Sequence, residues 1–178
     1  MINQNKFNKN LIFTDGIIVL KPFKLKDAKL HLSGEDKEQQ KWLSGGKSNL
    51  KSVEDWIKKN RKYWKNEGPI FNLAVWDKEI LVGMVEANID KEKIEGMKKG
   101  QANISYGIYP KYRGKGYAAR VVNLFLKILK SKKVTYALIR VNPKNVKSLK
   151  IPIKCGFKES GKIKTREGHT LKLFTKKL

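Results

Sequence analysis

The period of apolar and polar positions changes several times along the chain, and each change predicts an element. Gly16-Ile17-Ile18-Val19-Leu20-Lys21-Pro22-Phe23 is a short apolar run closed by a proline, a first strand. Lys26 to Leu32 fits a short helix, and a polar segment containing Trp42 and Leu43 follows. Val53, Trp56, Ile57, Tyr63 and Trp64 recur at helical spacing behind Ser52-Val53-Glu54-Asp55, which reads as an N-cap with an acid at the third position. Gly68-Pro69 ends that helix. Ile70 to Trp76 and Ile80 to Ile89 predict a hairpin around Asp77-Lys78-Glu79, and Lys91 to Gly100 a charged loop.

Ala102 to Tyr109 predicts another strand and Gly116 to Lys130 a helix. Ala118, Val121, Val122, Phe125 and Leu129 line one face of this helix, while Leu124, Leu126 and Ile128 add apolar bulk elsewhere, so it should be well buried. Val134 to Val141 is a strand, Asn145 to Cys155 a short helix broken or bent at Pro152, and Gly156 to Ile163 with His169 to Thr175 a last hairpin. The fold class is α/β (α+β), a mixed sheet with helices in a single domain over 1–178, with residues 1–15 expected as a loosely ordered N-terminal segment.

The junction between the strand ending at Tyr109 and the next helix carries the most chemistry. Tyr109-Pro110-Lys111-Tyr112-Arg113-Gly114-Lys115-Gly116-Tyr117-Ala118 sets two glycines at a helix start, with basic residues around them and no acid nearby. A helix start offers unpaired N–H groups and the positive end of the dipole. Glycine lets a phosphate approach the backbone closely. The junction therefore predicts a cradle for a phosphate-bearing ligand. Gly45-Gly46-Lys47-Ser48 ends like a P-loop, but its first glycine would fall at Lys41 and no strong strand precedes it. A dinucleotide fingerprint would need a glycine in place of Ala119, and its usual place is the first βα unit.

Charge agrees with an anionic ligand. The formal net charge is +24, and it is uneven: residues 1–89 hold 16 Lys+Arg and 11 Asp+Glu, residues 90–178 hold 24 and 5. No acid lies between Glu95 and Glu159. Such a field attracts nucleic acid, an anionic membrane or a phosphorylated cofactor. With 35 Lys to 5 Arg, lysines on solvated faces account for much of the total, but they explain the acid-free window less well. At 178 residues and 40% hydrophobic the chain suits one globular domain. Its apolar runs are too short to span a bilayer and the N-terminus has no signal pattern, so a cytoplasmic protein with no membrane partner is expected. A single cysteine, Cys155, excludes an internal disulfide and a Cys-based zinc site, and two distant histidines give no reason to expect a metal.

Two signatures in order resemble those of the GNAT N-acetyltransferases. Arg113-Gly114-Lys115-Gly116-Tyr117-Ala118 fits their Arg/Gln-x-x-Gly-x-Gly/Ala loop, and Asn145-Val146-Lys147-Ser148 followed by Lys154-Cys155-Gly156-Phe157 resembles their Asn-x-x-Ser and Lys-x-Gly-Phe. The element order is similar over nearly the whole chain, most of all to the branch with ribosomal-protein N-terminal acetyltransferases. The resemblance implies a mostly antiparallel central sheet of about seven strands flanked by helices. It also implies acetyl-CoA as co-substrate. The pyrophosphate would lie on the N–H groups from Arg113 through Ala119 (Gly114, Lys115, Gly116, Tyr117 and Ala118 between them). The pantetheine arm would pair with Tyr106, Gly107 and Ile108, where two strands splay apart, and Asn145 and Ser148 would lie near it. Lys115 and Lys147 are further phosphate candidates.

Acetyl transfer to an amine needs a base, a donor to the oxyanion and an acid for the thiolate. The resemblance implies a strand N–H near Ile108 as oxyanion donor. The tyrosine that serves many relatives as acid falls at Pro152 in this chain, and a strand glutamate that some relatives use falls at Arg140. The acid-free window moves the base elsewhere: Glu86 amid apolar strand residues is preferred over Glu159, Glu167 and His169. Ser105, Tyr106 and Tyr109 are hydroxyl candidates for the acid, and Cys155 reads as buried filler.

The resemblance implies an acceptor wall built from Lys29 to Gly46 and Val53 to Trp64, with Trp42 the tryptophan of interest. The charge disfavours strongly cationic acceptors unless Asp36, Glu38, Asp55 and Glu86 form an acidic pocket. The expected activity is acetyl transfer to a primary amine, of a protein N-terminus, small molecule or antibiotic, by a monomer or homodimer. The competing readings are a basic nucleic-acid- or ribosome-binding module, less favoured, and a non-catalytic acetyl-CoA sensor.

Overall fold

Ile70–Asp77 and Ile80–Asn88 are buried along nearly their whole length, as strands covered on both faces must be. They form the middle of the sheet. The computed structural model describes residues 12–44 and 46–178. In chain order the strands are β1 Phe13–Thr14, β2 Ile18–Lys21, β3 Ile70–Asp77, β4 Ile80–Asn88, β5 Gln101–Ile108, β6 Tyr136–Val141, β7 Lys158–Lys164 and β8 Thr170–Lys177. They make one sheet in the order β1-β2-β3-β4-β5-β6-β8-β7. Every neighbouring pair is antiparallel except β5 with β6.

The helices are α1 Ala28–Gly34, α2 Lys37–Gln39, α3 Leu50–Lys65, α4 Tyr117–Ser131 and α5 Val146–Lys154, and a wider turn, Gln40–Ser44, continues α2. On α3 the buried residues Val53, Ile57, Asn60 and Trp64 follow a 4-3-4 spacing that lays one stripe on the sheet. On α4 eight residues are buried, including Val121, Val122, Leu124 and Phe125, so most of its circumference is apolar core and Asn123, Lys127 and Lys130 mark one exposed stripe. Val53 and Ile57 pack on Ala74, Trp76 and Met84, which places α1–α3 on one face, the front. The side chains of α4 and α5 pack on Val75, Val85 and Ile104 on the back. The loop between β4 and β5 also lies in front, where Ile94 and Met97 cover Leu138 and Leu173.

Local expectations needed three adjustments. The helix at Leu50 is capped by Asn49, not Ser52; Ser52 is at the third helical position, and its hydroxyl accepts from the Asn49 N–H while its own N–H donates to Asn49. Pro152 neither breaks nor ends α5, which runs through it to Lys154. Phe13–Thr14, within the segment expected to be loose, pairs with Val19 and Leu20; residues 1–11 of that segment lie outside the described residues. No helix among the described residues is long and apolar enough to cross a membrane.

Candidate active site

The sheet divides between its two parallel strands. Pairing of β5 with β6 covers only Gln101–Asn103 against Tyr136–Leu138, and beyond that point the strands part. The Tyr109 N–H donates to Val82 O on β4 at 2.9 Å. In an antiparallel ladder the direction alternates, so Tyr106 and Ile108 turn their N–H and C=O away from β4, toward the opening. Interior backbone groups need partners. The Ile108 carbonyl takes one from Arg113 Nε at 2.8 Å. The N–H groups of Tyr106 and Ile108 face the split, where a ligand with amide groups would pair with them as a strand does.

The opening runs into the glycine junction. Gly114 (φ +79°) and Gly116 (φ +82°) hold left-handed backbone, and a Cβ on either would meet no atom of the described residues within 4 Å. Glycine is demanded there by conformation, and the space above is open. The first internal bond of α4 is from Arg120 N to Gly116 O, 3.4 Å. The N–H groups of Tyr117, Ala118 and Ala119 precede it and have no partner within the helix, and those of Gly114, Lys115 and Gly116 come just before them in the chain. Tyr117 is tied by its hydroxyl to Asp77.

Arg113 differs from its expected part. Its N–H is used on Pro110 O at 3.2 Å. Its guanidinium grips Asp36 at 2.6 and 2.9 Å and Glu38 at 2.8 Å. It thus pins α2 over the end of β5, and the hydrogen bond from Arg113 holds the Asp36 carboxyl below its ordinary value. Glu38 also lies 3.7 Å from Lys147 on α5, so α2 contacts both lips of the split. A Cβ on Gly107 would come 2.9 Å from Leu43 and 3.3 Å from the buried amide of Gln39, which shows how closely this segment lies on β5.

Ser105 and Tyr106, adjacent in sequence, point to opposite faces. Tyr106 is at the back, its hydroxyl 2.9 Å from Ser148 Oγ and 3.3 Å from Ser148 O. That carbonyl is free because Pro152, four residues on, has no N–H. Asn145 caps α5 by accepting the Ser148 N–H at 3.2 Å. Burial pushes the Tyr106 hydroxyl up to about 12, so it stays protonated.

Ser105 is in front, opposite Glu86 on β4, which in turn is opposite Asn72 on β3. Asn72 donates to Glu86 at 3.3 Å. Burial raises the Glu86 carboxyl above its ordinary value against that hydrogen bond. The other base candidates are on the surface: Glu159 pairs with Lys172, and Glu167 and His169 are exposed. Tyr109 is not free either. Its hydroxyl is 2.7 Å from Nδ1 of buried His31, whose pKa burial pushes down to about 4.

The acidic pocket does not form. Asp36 and Glu38 are taken by Arg113, Asp55 by Lys51 and Lys58 in solvent, and Glu86 stands apart. Lys115 lies by the Tyr112 ring and Trp42 under Lys41. The sequence reading missed the Arg113 clasp, the His31–Tyr109 pair and an ion pair of Arg140 with Glu95 at 3.0 Å. Each joins residues far apart in the chain, and no local pattern announces them.

These features were compared with known proteins. The family model described as an acetyltransferase (GNAT) domain matches residues 18–158. No curated protein sequence matches significantly. Among solved structures, the chain resembles RimL, a ribosomal α-N-protein acetyltransferase solved with coenzyme A, at TM-score 0.80 and 13% identity over 94% of this chain and 98% of that one. It resembles the microcin self-immunity acetyltransferase MccE, solved with acetyl-CoA and AMP, at 0.78 and 20% over 92% and 94%. An aminoglycoside acetyltransferase solved with coenzyme A matches at 0.75 and 15% over 90% and 94%. The split sheet, the glycine cradle at its mouth and a family match over most of the length agree: the chain belongs to the GNAT acetyltransferase family.

Proposed function

We propose that this protein transfers the acetyl group of acetyl-CoA to a primary amine by direct attack within a ternary complex. The observation that carries this reading is the interior strand edge at Tyr106 and Ile108, continuous with the N–H cradle at Gly114–Ala119. A pantetheine arm has amides to pair with such an edge, and a pyrophosphate suits such a cradle. The split is also where one ligand can meet both faces of the sheet. The amine would approach from the front, where Glu86 takes its proton directly or through a water held by Ser105. The nitrogen bonds to the acetyl carbon, and a strand N–H near Ile108 that the arm leaves free stabilises the oxyanion. As the carbon–sulfur bond breaks, the Tyr106 hydroxyl protonates the thiolate from the back, in place of the tyrosine that Pro152 replaces.

Titration calorimetry with coenzyme A tests the donor site. Wild-type protein should bind at micromolar concentration and Gly114→Glu should not, because the new side chain fills and charges a cradle in which a Cβ meets no atom of the described residues. Equal affinity in the two proteins would remove the site. Thiol release on adding amines then tests transfer.

A further inference from the structure

The front of the split carries charge that the chemistry above does not use. Asn103 and Leu138 are the last pair of β5 and β6, so two residues on, Ser105 and Arg140 share the front face on opposite sides of the opening. Ser105 is opposite Glu86. One transverse row therefore reads Asn72, Glu86, Ser105, the opening, Arg140. Across the gap from a base is a cation, at a level where an incoming amine would sit.

Arg140 is not a neutralised residue. It donates to Glu95 Oε2 at 3.0 Å, but Glu95 also receives Arg166, with Oε1 3.4 Å from Arg166 N and 3.9 Å from its Nε. Two guanidinium groups share one carboxylate, which leaves a positive charge unbalanced. Arg140 Nε is closed off from solvent without an acceptor, and of its Nη atoms only Nη1 has a partner among the described residues. Nε is shut away from any ligand, but Nη2, which has no partner among the described residues, is a charged donor left for an oxygen of an anion. The carboxylates that would attract a cation are occupied elsewhere, Asp36 and Glu38 by Arg113.

We infer that the acceptor is a primary amine that also carries a carboxylate, held by Arg140 across the opening from Glu86. The inference rests on the acetyltransferase reading and names the class of its acceptor. The carboxylate can belong to an acidic residue at a peptide's N-terminus or to a free amino acid. Arg140 binds it, while Glu95 orients the guanidinium and tempers its charge.

The test compares acetyl transfer to short peptides that begin with Asp, Ala or Lys, and to free aspartate and its amide. Wild-type protein should show its lowest KM for an acidic acceptor, with the peptide and free-acid arms deciding which source it takes. Arg140→Gln should raise that KM about tenfold, the worth of one charge-assisted contact, and the change should fall on KM rather than kcat. Arg140→Lys should recover part of it. Glu95→Gln should act oppositely, lowering KM for the acidic acceptor and raising it for the Lys peptide. Coenzyme A affinity, measured on each variant, reports that the fold and donor site persist. Equal KM across the three peptides, or no KM change in Arg140→Gln, overturns the inference alone. Coenzyme A binding with transfer to none of these amines also overturns it, while thiol release on other amines decides the acetyltransferase reading separately.

Discussion

Glu86, the base of the proposed transfer, is a side chain whose charged form works against the fold. Burial raises its carboxyl, so the folded state favours the protonated form more than the unfolded chain does. The sign follows: its favourable contribution is full below the ordinary carboxylate range and is lost as pH rises through its folded value. Glu86→Gln should therefore raise Tm at pH 7, a gain that vanishes in acid, and lower kcat about a hundredfold by removing a base. A kcat unchanged across pH would exclude the base role. Legibility at this scale depended on reach. Gly114 and Gly116 were readable because a left-handed backbone at a helix start demands glycine locally. The partners of Arg113 were not, because Asp36 and Glu38 lie 77 and 75 residues away.

Among the elements, α5 departs furthest from what its sequence suggests. A proline inside a helix costs about 3 kcal/mol relative to alanine. Here it is buried at position 152 and the helix continues. The Tyr106 hydroxyl reaches the orphaned Ser148 carbonyl and offsets about 1 kcal/mol of that. A sequence pattern sees the missing N–H and not the tyrosine 42 residues upstream that answers it. Tyr106→Phe should lower kcat at least tenfold and loosen the β5–α5 contact, which a fall in Tm would register. With its pKa at about 12, Tyr106 should give wild-type turnover no alkaline limb below about pH 10. Strands and long helices were readable almost to their ends. The short α2 was not, because it is held by Arg113 more than by its own three residues.

For the whole molecule, the split opens one site to both faces of the sheet, and the direct attack proposed above puts its base in front and its acid behind. That arrangement needs both substrates present together. Initial-rate plots should intersect, and no acetyl-protein should accumulate. Cys155, whose thiol burial pushes up, is at the back against Ala119 O, and Cys155→Ala should retain turnover. Parallel plots with an acetylated Cys155 would contradict direct attack. The order of elements and both motifs were legible in the chain, and so was the position of the split. The ion pair at Arg140 was not, since Glu95 reaches it from the loop before β5, 45 residues away in the chain.

The sheet also has an end, and β7 forms it. Nearly every residue of this strand is exposed, and Lys158, Lys162 and Lys164 stand along it. An open strand is a template on which another chain can extend the ladder, and lysines oppose that by repulsion and by the cost of stripping their water. Two copies meeting through β7 would bring three lysines of each strand together, against a single Glu159 that already pairs with Lys172. The lysine content that looked at first like a bare excess of charge thus works, at this edge, as a guard against end-to-end polymerisation of the sheet.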